Sequence, residues 1–130
     1  MKNLLFLIII AIASMSFTPI KFKATEQATA PVDDIYFTDY YIVRPVNVYF
    51  NGSIVHVYYD NGSTYFKSDV NSFDKDVEYD SDKILNETYT LKLSNNDSIL
   101  IIIDYRFKYD YKQIILPKTK DGETIEYLAY

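Results

Sequence analysis

The amino-acid sequence predicts an all-β fold: a single small antiparallel β-sandwich, or a partly open barrel, built from hairpins after an N-terminal signal peptide. Three observations predict it. Runs of β-branched residues and tyrosines recur between Asn, Asp and Gly, all three glycines stand in turn pairs, and no helical period is evident. The 130 residues are the length of one domain, so we expect one core.

The N-terminal segment has the three parts of a secretory signal peptide. Lys2 precedes an unbroken apolar run over residues 4–13, and small residues follow. Cleavage fits best after Ser16, then after Ala13, while a position after Ala24 lies far from the apolar run. An uncleaved anchor is the alternative, but a membrane span needs about 20 apolar residues.

This division gives the chain three parts. We expect a signal peptide over residues 1–16, a flexible lead over 17–34 that is rich in Thr, Ala and Lys, and an all-β domain over 35–130. The protein is then secreted, or held in the periplasm or cell envelope. Downstream the longest apolar run covers only residues 99–103, so we expect no membrane span after cleavage.

Composition excludes several classes of function. The chain has no cysteine, which excludes a thiol nucleophile, a thiolate metal site and a lipid-modified cysteine. Thirteen basic and 18 acidic residues give a net charge of −5, and the basic residues are scattered. We therefore expect no nucleic-acid partner, because phosphate binding needs clustered Lys and Arg.

Two Asn-Gly turns, Asn51-Gly52 and Asn61-Gly62, predict a three-stranded meander. Counting outward from the first turn pairs Val48 with Val55. Counting from the second pairs Val57 with Phe66 and Tyr58 with Tyr65. Because strand side chains alternate, one face is the predicted core. Its members are Val46, Val48, Phe50, Val55, Val57, Tyr59 and Phe66.

Further strands follow the meander. Inward positions are predicted on two strands on either side of a turn at residues 95–97, and a last hairpin runs through Asp121-Gly122. The inward set is Tyr89, Leu91, Leu93, Ile99, Ile101, Ile103, Tyr105 and Phe107.

The stretch Glu87-Thr88-Tyr89-Thr90-Leu91-Lys92-Leu93-Ser94-Asn95 resembles the penultimate strand of small secreted bacterial immunoglobulin-like or fibronectin-like domains. In that family a Gly-x-Tyr-x-Leu stretch leads into the final hairpin, and here Glu87 stands at the glycine position. The resemblance favours a sandwich and implies no activity, because such domains serve mostly as adhesion, spacer or binding modules.

Catalytic chemistry has little support in the sequence. His56 is the only histidine, it lies midway along a strand, and no Gly-x-Ser-x-Gly turn presents a serine. The three glycines all belong to turns, which leaves none for a phosphate-binding loop. We therefore expect no catalytic residue and no cofactor, and a small hydrolase is the least favoured function.

One acidic stretch resembles a calcium loop. Counted from Asp76, carboxylates fall at the ligand positions of an EF-hand loop, but Ser81 stands where a glycine is needed and Lys83 where an apolar residue belongs. A solvated edge strand with Val77 and Tyr79 packed inward explains the pattern better. The weak calcium candidates are Asp76, Glu78, Asp80, Asp82 and Glu87.

Tyrosine is the most informative residue type, with 14 in the chain. Tyrosine provides rigid amphipathic contact area and is enriched at protein interfaces. We therefore predict a binding surface on the reverse face of the meander, unless a second sheet covers it. Its candidate residues are Tyr49, Ile54, His56, Tyr58 and Tyr65.

The function predicted from these patterns is an exported, non-catalytic binding or structural module that uses this tyrosine-rich face or its sheet edges. Its partner is a protein or a carbohydrate. The alternative is an envelope inhibitor or immunity-type protein that inserts an acidic loop, residues 74–82, into an enzyme.

Overall fold

The computed structural model describes residues 17–30, 41–106, 111–119 and 124–129. The predicted signal peptide, residues 31–40, Phe107 and the Asp121-Gly122 turn lie outside them. The described residues form eight β-strands: β1 Ile20–Ala30, β2 Tyr41–Phe50, β3 Ile54–Tyr59, β4 Thr64–Asp80, β5 Lys83–Leu93, β6 Ser98–Asp104, β7 Tyr111–Ile115 and β8 Thr124–Ala129. None of the described residues belongs to a helix that could span a membrane.

The strands close into an antiparallel barrel in which each strand pairs with its sequence neighbours and β1 pairs with β8. The all-β prediction is therefore confirmed, and the closed barrel replaces the predicted sandwich or partly open barrel. Closure depends on the pairing of Glu26 with Leu128 and of Ala28 with Glu126. A closed sheet leaves fewer free edges than a sandwich does.

Strand β1 lies where the sequence predicts a flexible lead over residues 17–34. Its first half alternates Ile20 and Phe22 with Lys21 and Lys23, the period of a half-buried strand. Ala24 continues the inward series and is fully buried. Because the alanine side chain is small, it adds little to the apolar alternation of the sequence, although the residue is fully buried in the fold.

The barrel interior is filled by apolar side chains, and most of the predicted inward positions are confirmed. Val46, Val48, Phe50, Val55 and Val57 are at most 1% exposed. Tyr59, Phe66 and Tyr105 are partly buried against this core. The inward set of β5 and β6 is buried as predicted: Tyr89, Leu91, Leu93, Ile99, Ile101 and Ile103.

The first hairpin keeps its predicted faces but not its predicted pairs. Val48 pairs with Val57, not with Val55. The Asn51 side chain accepts hydrogen bonds from the backbone N–H groups of Ser53 at 3.0 Å and Ile54 at 2.8 Å, which moves the turn one residue along the chain. The pairing therefore shifts by two residues, and an even shift leaves every side chain on its face.

The second hairpin differs from the prediction at one residue. Val57 pairs with Phe66 as predicted, but Tyr58 pairs with Thr64 because Tyr65 is the extra residue of a bulge. A bulge changes the direction of side chains in the bulged strand. Tyr65 consequently packs against the core, with its ring 5.8 Å from that of Tyr59 and 5.5 Å from that of Tyr127.

Strand β4 continues well past β3. Its pairing with β3 ends at Asp69, whereas its pairing with β5 continues to Asp80. Beyond Asp69 one edge of β4 therefore has no strand partner among the described residues, and the tip of the β4–β5 hairpin extends past Asn86, where the pairing of β5 with β6 ends. Val77 is half-buried there, but Tyr79 is 60% exposed, so the prediction that both pack inward is wrong for Tyr79, which follows a register shift after Glu78.

Candidate functional site

The outer wall of β1 to β4 carries a row of four residues that lie directly opposite one another. Lys21 pairs with Tyr49, Tyr49 with His56, and His56 with Lys67. Both lysines are exposed, and Tyr49 and His56 are half-buried. Directly paired residues have side chains about 5 Å apart on one face, so the row forms one continuous surface.

A second row lies beside the first. Lys23 pairs with Asn47, Asn47 with Tyr58, and Tyr58 with Thr64. The His56 and Tyr58 rings are 4.7 Å apart between centroids, which joins the two rows. We call these eight residues the outer tyrosine face: Lys21, Lys23, Asn47, Tyr49, His56, Tyr58, Thr64 and Lys67.

The polar contacts on this face position its side chains. The His56 Nε2 atom lies 3.0 Å from the Thr64 hydroxyl, and the Lys21 ammonium lies 5.7 Å from the centre of the Tyr49 ring, within cation–π range. His56 thus contacts a hydroxyl and an aromatic ring. A catalytic histidine needs a partner group that orients it as a base, and these contacts lend no support to that role.

Asp60 fixes one corner of the face. Its carboxylate accepts a hydrogen bond from Asn47 Nδ2 at 2.9 Å and pairs with the Lys23 ammonium at 3.0 Å. The hydrogen bonds from Asn47 and Lys23 hold the pKa of Asp60 below its ordinary value of 3.8. Lys23 is therefore neutralised locally, whereas Lys21 and Lys67 make no ion pair with any residue of the described chain.

The structure brings together most of the residues that the sequence predicts for this surface. Tyr49, His56 and Tyr58 lie on the outer tyrosine face, and Ile54, opposite Asp69, is half-exposed. Tyr65 is the exception, because its bulge turns it toward the core. Whether this face binds a partner stays a prediction.

A second polar group lies at one end of the barrel. The Glu87 carboxylate accepts a hydrogen bond from the Tyr89 phenol at 3.0 Å and one from the Tyr105 phenol at 3.1 Å. The Lys75 ammonium is 3.5 Å from the same carboxylate. We call Lys75, Glu87, Tyr89 and Tyr105 the mouth cluster.

Burial and hydrogen bonding shift two ionisation equilibria in the mouth cluster. Burial, together with the hydrogen bond to Glu87, raises the pKa of Tyr89 above 10.0. The hydrogen bond between Lys75 and Tyr89, aided by the charge of Glu87, raises the pKa of Lys75 above 10.5. At neutral pH Lys75 is therefore a charged ammonium and Tyr89 a neutral phenol.

The sequence contains a pattern that indicates the position of Glu87 in the mouth cluster, but the same residue is also counted as a calcium candidate. Glu87 continues the alternation of Tyr89, Leu91 and Leu93, which places it on the inward face of β5. Only the fold shows that Tyr105 reaches it, because the two residues are 18 positions apart.

The calcium candidates do not converge on one point. Glu87 pairs with Val77, whereas the neighbouring Asp76 and Glu78 project from the other face of β4. Glu78 accepts a hydrogen bond from Asn86 at 2.6 Å. The described residues hold no group of three or more acidic or histidine side chains placed to bind a metal.

Comparison with known proteins found no relative of this chain. No protein-family model matches the chain, and neither a curated protein nor a solved structure matches it. The resemblance of residues 87–95 to immunoglobulin-like domains stays a prediction from the sequence.

Proposed function

We propose that the protein is an exported, non-catalytic binding module that recognises a macromolecule with its outer tyrosine face. The observation that carries this proposal is the row Lys21, Tyr49, His56 and Lys67, which crosses four strands, with both lysines exposed and both rings partly exposed. Aromatic side chains on a rigid sheet supply contact area at small entropic cost.

The shape and charge of this face favour a particular kind of partner. Small-molecule sites are concave, whereas the outer wall of a barrel is not, so an extended or macromolecular partner fits better. Lys21 and Lys67 lack ion pairs with described residues, although the whole chain is acidic. A protein or carbohydrate that offers acidic groups to these lysines is complementary to the face.

The fold bears on the position at which the proposed signal peptide is cleaved. Phe17 packs against Phe50 and Phe73, with ring centroids 5.2 Å away in both cases. Cleavage after Ala13 or Ser16 leaves this contact intact. Cleavage after Ala24 would remove Phe17 and the first half of β1, and N-terminal sequencing of the native protein distinguishes these positions.

Partner capture tests the proposal. The immobilised protein is incubated with extract of the native cell envelope, and the retained material is compared between wild type and the double variant Tyr49→Ser, His56→Ala. We expect about tenfold less retained partner for the variant, since truncating aromatic contacts at an interface commonly costs over 1 kcal/mol. Tyr79→Ser is the matched control, because Tyr79 is an exposed tyrosine outside the face.

The capture experiment distinguishes the proposed function from its alternative. Equal retention by wild type and the face variant, both folded, contradicts the proposal. Retention that is lost only when the acids of the β4–β5 hairpin are changed favours the alternative, an inhibitor or immunity-type protein. The observation behind that alternative is the stretch of β4 beyond Asp69, which β3 leaves unpaired and which carries exposed carboxylates at Asp74, Asp76 and Glu78.

A further inference from the structure

Strand β1 has one strand neighbour along its first half. Residues 20–24 pair with β2, and the pairing of β1 with β8 starts only at Glu26. Among the residues that the structure describes, no strand pairs with the other edge of residues 20–24. In the described part of the chain, strand pairing is therefore absent between the start of β1 and β7 at this end of the barrel.

A cleft of about 280 Å³ lies at this gap. Ile20 and Pro19 line it from the β1 side, and Ile103 lines it from β6. The Tyr89 and Tyr105 residues of the mouth cluster complete the aromatic part of the wall. We call this space the seam cleft, and its lining combines apolar and aromatic side chains with polar groups in similar measure.

Lys112 is the distinctive polar group of the seam cleft. It pairs with Ile103 on one side and Ala129 on the other, and both are buried. Its own side chain is half-buried, and it makes no ion pair within the described part of the chain. An anion beside Lys112 would gain a charge-assisted hydrogen bond without displacing an existing ion pair.

The nearest carboxylate does not fill this role. Glu87 also lines the cleft, but it is already engaged with Lys75 and with the phenols of Tyr89 and Tyr105. Its charge is balanced by Lys75, and the Lys21 ammonium lies over the Tyr49 ring on the outer wall. Lys112 is therefore left as a charged group of the seam cleft without an ion pair among the described residues.

We propose that the seam cleft binds a small organic anion, consisting of one carboxylate joined to a compact apolar body. The carboxylate accepts hydrogen bonds from the Lys112 ammonium. The apolar body packs against Ile20, Ile103 and the ring of Tyr105. The volume lies just below the range usual for drug-sized ligands, which restricts the body to a short alkyl chain or a single ring.

Matched pairs of probes test this site. The purified protein is titrated with benzoate and hexanoate, and with the uncharged benzamide and hexanamide, up to about 10 mM, the range in which fragments of this size bind. Backbone amide resonances in NMR spectra report the position. We expect both carboxylates to shift the resonances of Ile103 and Lys112, and the amides to bind about tenfold more weakly.

Substitutions of Lys112 test whether its ammonium binds the carboxylate of the probe. Lys112→Gln should lower carboxylate affinity about tenfold, and Lys112→Arg, which keeps the charge, should retain most of it. Lys92→Gln is the control, since Lys92 is an exposed lysine that does not line the cleft. Should Lys112→Gln fail to fold, the comparison of carboxylates with amides on the wild-type protein decides the question.

Three results would overturn the proposal. These are equal affinity for a carboxylate and its amide, resonance shifts confined to residues away from the seam cleft, and the absence of any shift at the highest concentration. The site shares only Lys21 with the outer tyrosine face, so its failure leaves the proposed function unaffected.

Discussion

The Tyr105 phenol, just beyond the end of β6, donates a hydrogen bond of 3.1 Å to the Glu87 carboxylate in β5. Together with the Tyr89 phenol on the other oxygen, it satisfies an acid whose side chain is only 14% exposed. Buried carboxylates are tolerated when they are paired and hydrogen-bonded. The mouth cluster therefore stabilises this end of the barrel as long as Glu87 keeps its hydrogen bonds and its ion pair.

Removing the Glu87 charge should destabilise the fold. Glu87→Gln keeps one oxygen acceptor but loses the other and the attraction to Lys75, so we expect a loss of about 1–2 kcal/mol in the free energy of unfolding. Urea denaturation measures it. Glu78→Gln is the control, because Glu78 is exposed and should lose about 0.5 kcal/mol or less. Equal effects would contradict a stabilising role for the mouth cluster.

The mouth cluster also predicts how stability depends on alkaline pH. The folded-state pKa values of Tyr89 and Lys75 both lie above their ordinary values of 10.0 and 10.5. Their contribution is therefore complete below about pH 10 and is lost as the pH rises through the folded-state values, because the unfolded chain releases these protons first.

Tyr89→Phe tests this dependence directly. The variant should be less stable at pH 7, since it lacks the hydrogen bond to Glu87, but its stability should fall less steeply than that of wild type above pH 10. Thermal melts at a series of pH values give the slope. Tyr79→Phe, at an exposed position, serves as the reference, and parallel slopes for all three proteins would refute the assignment.

Phe17 should matter for stability although it precedes the first strand. Its ring meets Phe50 and Phe73 edge to face, a geometry that contributes beyond simple burial. We expect Phe17→Ala to cost about 2 kcal/mol, less than a fully buried phenylalanine would. The neighbouring exposed Thr18 provides the comparison: Thr18→Ala should change stability by about 0.5 kcal/mol or less. A neutral Phe17→Ala would show that this contact is dispensable.

The bulge in β4 makes a prediction that separates two tyrosines of one hairpin. Tyr65 packs against Tyr59 and Tyr127, whereas Tyr58 lies on the outer tyrosine face. Tyr65→Ser should therefore cost about 2–3 kcal/mol and Tyr58→Ser about 1 kcal/mol or less. Denaturant melts of the two variants decide it, and a larger loss for Tyr58→Ser would mean that the hairpin has no bulge.

A charge in the core tests the alternation on which the whole interpretation depends. Val48 and Val57 are directly paired and almost fully buried, so Val48→Asp or Val57→Asp should abolish folding or cost several kcal/mol. Circular dichroism and denaturant melts show the effect. A folded, stable Val57→Asp protein would place that side chain on the outer face instead.

The sequence by itself determined the strands from β2 onward and most of their faces, whereas β1 lies where it predicts a flexible lead. Strand side chains alternate with a period of two, so the turn at Asn51 assigns Val48 and Val57 to the core even though the pairing is shifted by two residues. The same alternation separates Tyr49 and His56 from the core, which made the outer tyrosine face predictable.

The tertiary structure alone decided the closure of the barrel, the place of Tyr65 and the mouth cluster. Closure joins Glu26 to Leu128, a pairing between distant segments that no local pattern encodes. The half of β1 that pairs with β8 has the small Ala28 as its fully buried residue, which gives little apolar signal in the sequence. Tyr65 changes face because one extra residue enters β4. Glu87 becomes a hydrogen-bonded acid because the register of β5 and β6 pairs it with Ile103 and places Tyr105, two residues further on, beside it.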